Sequence, residues 1–253
     1  MPVAIITGGA AGIGRHLCAG FAREGYVVAS LDIRPMDSPH PDIHSFPCDL
    51  RDEAAITTVF RTVSQTLGTP RVLINNGAIS RFQKPFPLLE AKEFDDVLGT
   101  NLRGAFLCCR EFVRLCRGTG YGRIINIAST RYQQNECGWE AYGASKGGLV
   151  SLTASLCVSL HGTGITVNAI SPGWIQVDDY DSLTPCDHSQ HPSGRVGKPE
   201  DVCNACLFLA REENDFINGA NLPVDGGILW CCTECNSKAD MDRLVAVIGE
   251  VLR

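Results

Sequence analysis

Short apolar runs alternate along this chain with longer segments in which apolar residues recur at helical spacing. The short runs predict seven strands, at residues 3–6, 26–31, 43–46, 71–74, 122–127, 165–170 and 221–224. The longer segments predict helices at residues 15–24, 53–67, 94–117, 141–160 and 199–211, the third being one long helix or two abutting ones. This alternation indicates an α/β fold in which a doubly wound parallel sheet is covered by helices on both faces. Ligands of such sheets bind beyond the carboxyl ends of the strands.

The segment between the first strand and the first helix is rich in glycine. Its sequence, residues 7–14, reads Thr-Gly-Gly-Ala-Ala-Gly-Ile-Gly, so the spacing is Gly8-x-x-x-Gly12-x-Gly14 rather than the commoner Gly-x-Gly-x-x-Gly. A strand, a tight glycine turn and a helix N-terminus together form a site for a pyrophosphate. Backbone N–H groups and the positive end of the helix dipole meet its charge there. The pattern therefore predicts a dinucleotide site.

Asp32 ends the second predicted strand, about 20 residues past these glycines. An acid at this place suits the ribose hydroxyls of NAD and repels the 2′-phosphate of NADP. Arg15 and Arg34 are the opposing signal, since either could reach a phosphate. The sequence predicts NAD as the cofactor, with NADP less favoured.

Tyr142 and Lys146 lie four residues apart in a predicted helix, so their side chains project from one face. A free tyrosine has a pKa of about 10, too high for proton transfer at neutral pH. A neighbouring lysine charge stabilises the phenolate and moves that pKa towards the working range. The pair is a candidate for acid–base chemistry.

Taken together, these pieces resemble the short-chain dehydrogenase/reductase family over residues 3–227. The resemblance implies a Rossmann-type sheet and NAD(P) chemistry. The matching pieces are the glycine loop, Asn75-Asn76-Gly77-Ala78, Asn101, Ser129, Tyr142-x-x-x-Lys146, Pro172-Gly173, residues 194–201 and Val224-Asp225-Gly226-Gly227.

The resemblance implies four catalytic roles. Tyr142 would give or take the proton of the substrate oxygen, and Ser129 would hydrogen-bond that oxygen. Lys146 would keep the pKa of the phenol low and hold the nicotinamide ribose, while Asn101 would hold a water connecting the lysine to solvent.

The cofactor residues implied by the resemblance cover the whole dinucleotide. Asp49 and Leu50 would meet the adenine, Asn75 would lie behind the adenosine ribose, and backbone groups near Ile175 would hold the carboxamide. The full set is Gly8, Gly12, Ile13, Gly14, Asp32, Asp49, Leu50, Asn75, Gly77, Tyr142, Lys146, Pro172, Gly173 and Ile175.

Three features depart from the family pattern. The usual Asn-Asn-Ala-Gly reads Asn-Asn-Gly-Ala, and both of the exchanged residues are small. Val177 stands where the family usually has a threonine that helps hold the carboxamide. The chain also continues past the family domain, residues 1–227, into an extension at residues 228–253.

This extension predicts a helix with one apolar face, formed by Met241, Leu244, Val245, Ile248 and Leu252. The face packs either on its own subunit or on a neighbour in a dimer or tetramer, the tetramer being common among relatives. Cys231, Cys232 and Cys235 lack a fourth ligand and a nearby histidine, so no metal site is predicted.

The net charge of −6 disfavours nucleic-acid and anionic-membrane partners. The first strand starts within three residues of Met1, which leaves no room for a secretory signal, and no apolar run is long enough to span a membrane. Thirteen cysteines, many in predicted helices, suggest reduced, buried thiols in a cytoplasmic protein.

The sequence therefore predicts an NAD-dependent enzyme that interconverts a secondary alcohol and a ketone. The segment between Gly173 and Arg195, which covers the substrate in the family, carries Asp178, Asp179 and Asp181. These acids disfavour strongly anionic substrates, although Arg81 and Arg131 act in the opposite sense. A hydroxysteroid, polyol or sugar is expected, with Trp139, Trp174 and Tyr132 as candidate pocket walls.

Two other functions remain open at this point. An NADPH-dependent 3-oxoacyl thioester reductase would share the fold and active-site residues, but Asp32 and the acidic segment count against it. A catalytically silent nucleotide-binding regulator is less favoured, because Tyr142 and Lys146 are both present.

Overall fold

Seven parallel strands form one sheet in the computed structural model, which describes residues 1–36 and 40–227. Their order across the sheet is β3-β2-β1-β4-β5-β6-β7, and each neighbouring pair is parallel. The strands are β1 Val3–Thr7, β2 Val27–Asp32, β3 Ile43–Pro47, β4 Pro70–Asn75, β5 Gly122–Ile127, β6 Ile165–Pro172 and β7 Asn221–Val224. The predicted α/β sheet is confirmed.

Helices follow the strands as the apolar spacing predicts. They are α1 Gly12–Arg23, α2 Glu53–Thr66, α3 Ala91–Leu98, α4 Ala105–Cys116, α5 Glu140–Ser159, α6 Pro185–Ser189 and α7 Pro199–Ala210. The long helix predicted at residues 94–117 is α3 and α4 joined by a π-helical turn, Gly99–Gly104. Helix α6 is missing from the prediction because five residues are too few to show a period. Its signal was the capping pair Thr184 and Asp187 around Pro185.

The sheet separates two apolar cores. Val3 and Ile5 of β1 face α2 and α4, while Ala4 and Ile6 face α1 and α7, because successive strand side chains point to opposite faces. Both faces of the central strands are therefore buried, which explains why these strands read as continuous apolar runs. Buried thiols belong to these cores, as predicted, and the ten cysteines of the described residues are free.

The direction in which successive strands are added to the sheet reverses between β1 and β4. From β1 it runs outward to β2 and β3, then returns to β4 on the other side of β1. Such a switch point opens a crevice at the carboxyl ends of the strands. The ends of β1, β4, β5 and β6 all meet at this edge.

None of the helices within residues 1–36 and 40–227 is long and apolar enough to cross a membrane. The predicted helix at residues 228–253, with its three cysteines, lies outside the described residues.

Candidate active site

The loop between β1 and α1 leaves a helix N-terminus open to the crevice. Gly8 takes a positive φ of 65° and donates its N–H to the Leu31 carbonyl, which turns the chain sharply after β1. Gly14, in the first turn of α1, lies so close to the loop that a Cβ there would stand 1.9 Å from the Gly8 carbonyl oxygen. Within the described chain no side chain caps the start of α1 at Ala11. Its first N–H groups are thus available to an anion.

We expect Gly14→Ala to lower NADH affinity at least tenfold or so, because the added methyl displaces the Gly8 carbonyl and widens the turn. Overpacking of this kind costs about 1–3 kcal/mol of folding stability. Calorimetric titration with NADH and thermal unfolding measure the two effects. Gly147→Ala in α5 is the matched control, since a Cβ there meets no atom closer than 4.0 Å. Equal NADH affinity in the two variants would contradict the close approach at Gly14.

Asp32 stands at the end of β2, where its carboxylate is oriented by the backbone. Its side chain is 8 % exposed and accepts N–H bonds from Ala10 at 3.2 Å and from Arg34 at 3.0 Å. The Arg34 guanidinium lies 3.7 Å from the same carboxylate and is largely exposed. Asp32 and Arg34 line the same cavity as the glycine loop, so the residue that favours NAD and one of the two that oppose it occur here. Arg15, the other opposing residue, is not part of this lining.

The candidate catalytic groups line the other part of this cavity of about 550 Å³. Ser129 follows the end of β5, and Tyr142 and Lys146 are one turn apart near the start of α5. The Lys146 ammonium donates to the Ile127 carbonyl at 2.7 Å and lies 5.5 Å from the centroid of the Tyr142 ring. A glycine turn, an acid and a Ser–Tyr–Lys group therefore share one cavity.

Burial controls the protonation of the Tyr–Lys pair. It raises the pKa of the Tyr142 phenol above its usual value, while the hydrogen bond from Ser129 and the charge of Arg131 act to lower it. Burial also lowers the pKa of Lys146 to about 8. Lys146 is not among the groups that shift the pKa of Tyr142 here, so the lowering of that pKa by the lysine charge stays a prediction. The ammonium donates its hydrogen bond to the Ile127 carbonyl rather than to the phenol.

Asn101 lies in the π-helical turn between α3 and α4 and is fully buried. Its amide exchanges two hydrogen bonds with the backbone of Ile79, at 2.7 and 3.0 Å, and donates to the Ser145 hydroxyl at 3.0 Å. A π-turn inside a helix is often found at functional sites. Here it directs Asn101 towards α5 and the segment after β4, with no direct bond to Lys146 among its contacts.

Most of the predicted cofactor residues come together in the cavity. Those lining it are Gly8, Gly12, Ile13, Asp32, Gly77, Tyr142, Lys146, Pro172, Gly173 and Ile175. Gly14 and Leu50 lie behind its wall. A Cβ on Gly77 would stand 2.7 Å from the Leu50 side chain, so Leu50 supports the loop after β4 rather than facing the cavity.

Asp49 and Asn75 are outside the cavity lining, and each is occupied by other partners. Asp49 binds Arg51 through both carboxylate oxygens, at 2.8–3.2 Å, and this contact lowers its pKa. The Asn75 amide donates to Asn126 at 2.8 Å and to the Cys109 thiol at 3.2 Å, on the α4 side of the sheet.

Asn76, rather than Asn75, lines the cavity. Its amide donates to the Thr7 and Gly8 carbonyls at 3.1 and 3.2 Å and lines the cavity. The residues that sequence reasoning did not assign to the cofactor site are Ala11, Arg34, Asn76, Ala78, Ser80, Ile127, Ala128 and Val177. Several of them could have been found from the sequence, because they immediately follow the ends of predicted strands.

A second cavity, of about 770 Å³, lies at the amino ends of the strands, beside Tyr121 and Arg123. None of the predicted site residues lines it, so its size alone does not make it the site. In the part of the chain that the structure describes, no cluster of three or more His, Cys, Asp or Glu side chains is placed to hold a metal.

Comparison with known proteins gives consistent results. Residues 8–229 match the family model described as enoyl-(acyl carrier protein) reductase. The chain is 39% identical over 248 residues to an uncharacterized oxidoreductase of Thermotoga maritima, covering 89% of this chain and 95% of the other.

Two solved structures share the fold, with similar TM-scores and sequence identities to this chain. ElxO with NADP bound superposes with a TM-score of 0.83 at 27% identity, covering 90% of this chain and 98% of that one. 4-Hydroxyisoleucine dehydrogenase complexed with NADH gives 0.81 at 28% identity, with the same coverage of 90% and 98%. Both nicotinamide cofactors thus occur among the neighbours.

Proposed function

The chain belongs to the short-chain dehydrogenase/reductase family of NAD(P)-dependent oxidoreductases, and from this premise we propose that it interconverts a secondary alcohol and a ketone with NAD, using Tyr142 as general acid and base. The observation that carries the proposal is the single cavity lined by the glycine loop, Asp32, Ser129, Tyr142 and Lys146. A nicotinamide cofactor requires an anion site, a ribose acceptor and a proton donor along one crevice.

The glycine cradle fits such a cofactor. Side chains at Gly8 and Gly14 would collide with Gly77 and with the Gly8 carbonyl, so glycine at both places lets the loop turn tightly beside the open N–H groups of α1. Asp32 is oriented to accept hydrogen bonds from ribose hydroxyls. Tyr142, Lys146, Pro172, Gly173 and Ile175 would surround the nicotinamide end. When bound, the nicotinamide supplies the carbon that gives or accepts the hydride.

The protein's own groups would handle the proton and the substrate oxygen. Ser129 and Tyr142 line the same cavity, and both can donate to the oxygen of an alkoxide. Tyr142 then gives its proton in the reductive direction and takes one in the oxidative direction. Lys146, whose pKa burial lowers to about 8, lies beside the phenol and is held there by its hydrogen bond to the Ile127 carbonyl.

Asp32 supports NAD as the preferred cofactor. We expect Asp32→Ala to weaken NADH binding about ten- to hundredfold, because a charged hydrogen bond of about 1.5–3 kcal/mol is lost. NADPH binding should improve relative to NADH, since the repulsion of its 2′-phosphate is removed. Calorimetric titration of both cofactors measures the ratio.

Arg34→Ala is the companion variant for that experiment. It should leave NADH affinity unchanged and reduce any residual NADPH affinity, because the exposed guanidinium is the cation nearest Asp32 in the cavity lining. A wild-type protein that prefers NADPH, with the preference lost in Arg34→Ala, would overturn the NAD assignment.

A second candidate is reduction of a 3-oxoacyl thioester with NADPH. It is favoured by the matching family model, whose description names an acyl-carrier-protein reductase, and by Arg34 in the cavity. Incubation of the protein with NAD⁺ and a panel of polyols, sugars and hydroxysteroids distinguishes the two. NADH formation supports the main proposal, whereas NADPH oxidation by acetoacetyl thioesters alone supports the second. Tight NADH binding without any turnover would favour the catalytically silent regulator.

We also propose a dimer or tetramer in the reducing cytoplasm. Phe208, Phe216 and Leu222 expose apolar side chains on or beside the edge strand β7, which is where a second copy would cover them. The free thiols of the described residues suit a reducing compartment.

A further inference from the structure

One wall of the cavity, formed by Ile175 and Val177, is hydrogen-bonded to a segment some twenty residues further along the chain. Ile175 and Val177 line the cavity, and the chain then runs through residues 178–195, here called the lid segment, before returning at Val196. Gly197 donates to the Trp174 carbonyl at 3.1 Å and accepts from Gln176 at 3.0 Å, so it pairs alongside Ile175. The position of Val196 and Gly197 therefore sets the position of the wall.

Two aromatic side chains of the lid segment hold Val196 from both sides of its backbone. The Val196 N–H donates to Nδ1 of His188 at 3.2 Å, and its carbonyl accepts the Tyr180 hydroxyl at 2.6 Å. Val196 is fully buried, and the Tyr180 and His188 rings lie 5.6 Å apart. The lid segment is thus held to the chain at Val196 through the buried N–H and carbonyl of that residue.

The His188 contact requires one protonation state. A backbone N–H can only donate, so Nδ1 of His188 must present its lone pair and the ring proton must be on Nε2. A second proton would place N–H against N–H and break the contact. Imidazole is the side chain whose charge ordinarily changes between about pH 5 and 8.

Charged groups of both signs surround this contact, and the lid segment itself carries Asp178, Asp179 and Asp181 around Tyr180. On α6, the Asp187 carboxylate accepts hydrogen bonds from Thr184, and these bonds lower its pKa. From the return segment, Lys198 lies 4.3 Å from the Tyr180 ring centroid. Nearby, Arg195 and Asp201 form a two-point ion pair at 2.7 Å.

His191 is the other imidazole of the lid segment. It is buried with its ring 6.1 Å from that of Trp174, and neither nitrogen has a hydrogen-bond partner in the described chain. Its backbone N–H donates to the His188 carbonyl at 3.2 Å, so the two imidazoles belong to one local unit. Any test of His188 must therefore separate its effect from that of His191.

Resting on the proposed function, we propose that His188 is a positioning residue that fastens the lid segment to Val196 only while its imidazole is neutral. Acidification through the histidine range releases the contact, loosens the Ile175–Val177 wall and weakens substrate binding. His188 does not touch the reacting atoms, so the chemical step itself should be little changed.

Two variants test this role against a merely structural one. His188→Asn keeps an acceptor oxygen near the position of Nδ1 but cannot titrate, and His188→Ala removes the acceptor. We expect His188→Ala to raise KM for the alcohol roughly fivefold at about pH 8, with kcat nearly unchanged. The wild type should show a similar rise in KM between about pH 8 and pH 5.5. The rise should be clearly smaller in His188→Asn, where only groups such as Lys146, with its pKa of about 8, still change charge. His161→Asn, at the amino ends of the strands, is the matched control and should follow the wild type.

Hydrogen exchange of the Val196 amide reads the same contact without turnover. Relative to its intrinsic rate, this amide should exchange about fivefold faster in His188→Ala, and in the wild type on acidification, but not in His188→Asn. Unchanged Val196 protection in His188→Ala would overturn the proposal. An acid response of His188→Asn equal to that of the wild type would also overturn it, because His191 or another group would then be responsible.

Turnover and hydrogen exchange of the Val196 amide also distinguish the role of His188 from the proposed enzymatic function. If hydrogen exchange of the Val196 amide responds as expected but no alcohol or ketone is turned over, the role of His188 is supported and the proposed function fails. If turnover is found and Val196 exchange ignores His188, the function stands and the fastening fails.

Discussion

Tyr142→Phe should reduce turnover about a thousandfold while leaving NADH affinity within about threefold of the wild type. General acid–base groups contribute roughly 10²–10⁴ to rate, and the variant removes only the hydroxyl that would move the proton. The ring itself remains packed edge-on against Trp139, with centroids 5.8 Å apart, so the cavity keeps its shape. Steady-state rates and calorimetric NADH titration measure the two quantities.

Tyr132→Phe is the matched control for that experiment. Tyr132 is a half-buried tyrosine in the short helical turn after Ser129, and the cavity lining does not include it. Its variant should keep kcat within a few-fold of the wild type. Turnover of Tyr142→Phe at a tenth of the wild-type rate or more would exclude the phenol as the general acid.

Alkaline pH should unfold this protein steeply above about pH 9, because its cores contain many protonated thiols. Burial raises the pKa of Cys48 and Cys203 from 9.0 to about 11, and that of Cys18, Cys109 and Cys116 to about 12. Cys108 and Cys206 are shifted well above 9.0 by the same cause. These seven thiols stay protonated in the folded chain while the unfolded chain ionises.

The sign follows from proton binding. Below pH 9 both states hold these protons, and the thiols' contribution to stability is fully present. Above pH 9 the unfolded chain binds fewer protons than the folded one, so the free energy of unfolding falls as pH rises. Each thiol contributes up to about 1.4 kcal/mol per pH unit, and seven together approach about 10, similar to the whole stability of a domain. Lys146, with its pKa lowered to about 8, acts in the opposite sense but is a single group.

Urea unfolding in the presence of reductant at about pH 8 and pH 10 measures this slope. The double variant Cys108→Ala/Cys206→Ala should reduce the loss by about 2.8 kcal/mol per pH unit, since it removes two fully buried thiols. Replacement of Cys137 and Cys186, both exposed, is the matched control and should leave the slope unchanged. If the free energy of unfolding of Cys108→Ala/Cys206→Ala falls as steeply with pH as that of the wild type, groups other than these thiols dominate the pH dependence.

Local pattern was sufficient for the order of elements and for part of the candidate site. Strand and helix periods follow from which side chains avoid water, and the glycine turn, Asp32 and the Tyr142–Lys146 pair each depend on residues within one or two elements. Their grouping also followed, because the carboxyl ends of parallel strands meet at one edge of the sheet. These features could be predicted from the sequence.

Side-chain direction at strand ends could not be predicted. Asn75 and Asn76 are adjacent and chemically identical, yet Asn75 faces Cys109 of α4 while Asn76 faces the glycine loop. The choice depends on the pleat of β4 and on which face α4 covers, and both are properties of the assembled sheet. Asp49, predicted to meet the adenine, is likewise held by Arg51.

By itself, then, the sequence determined the sheet, its helices and the residue types gathered at its edge, because hydrophobic periodicity and turn chemistry are local. Only the tertiary structure decided which of those residues face the cavity and how they are charged. Burial raises the pKa of Tyr142 and lowers that of Lys146, and Tyr180 and His188 reach Val196 across a loop. Desolvation and long-range hydrogen bonds arise from packing between distant segments, which no local pattern specifies.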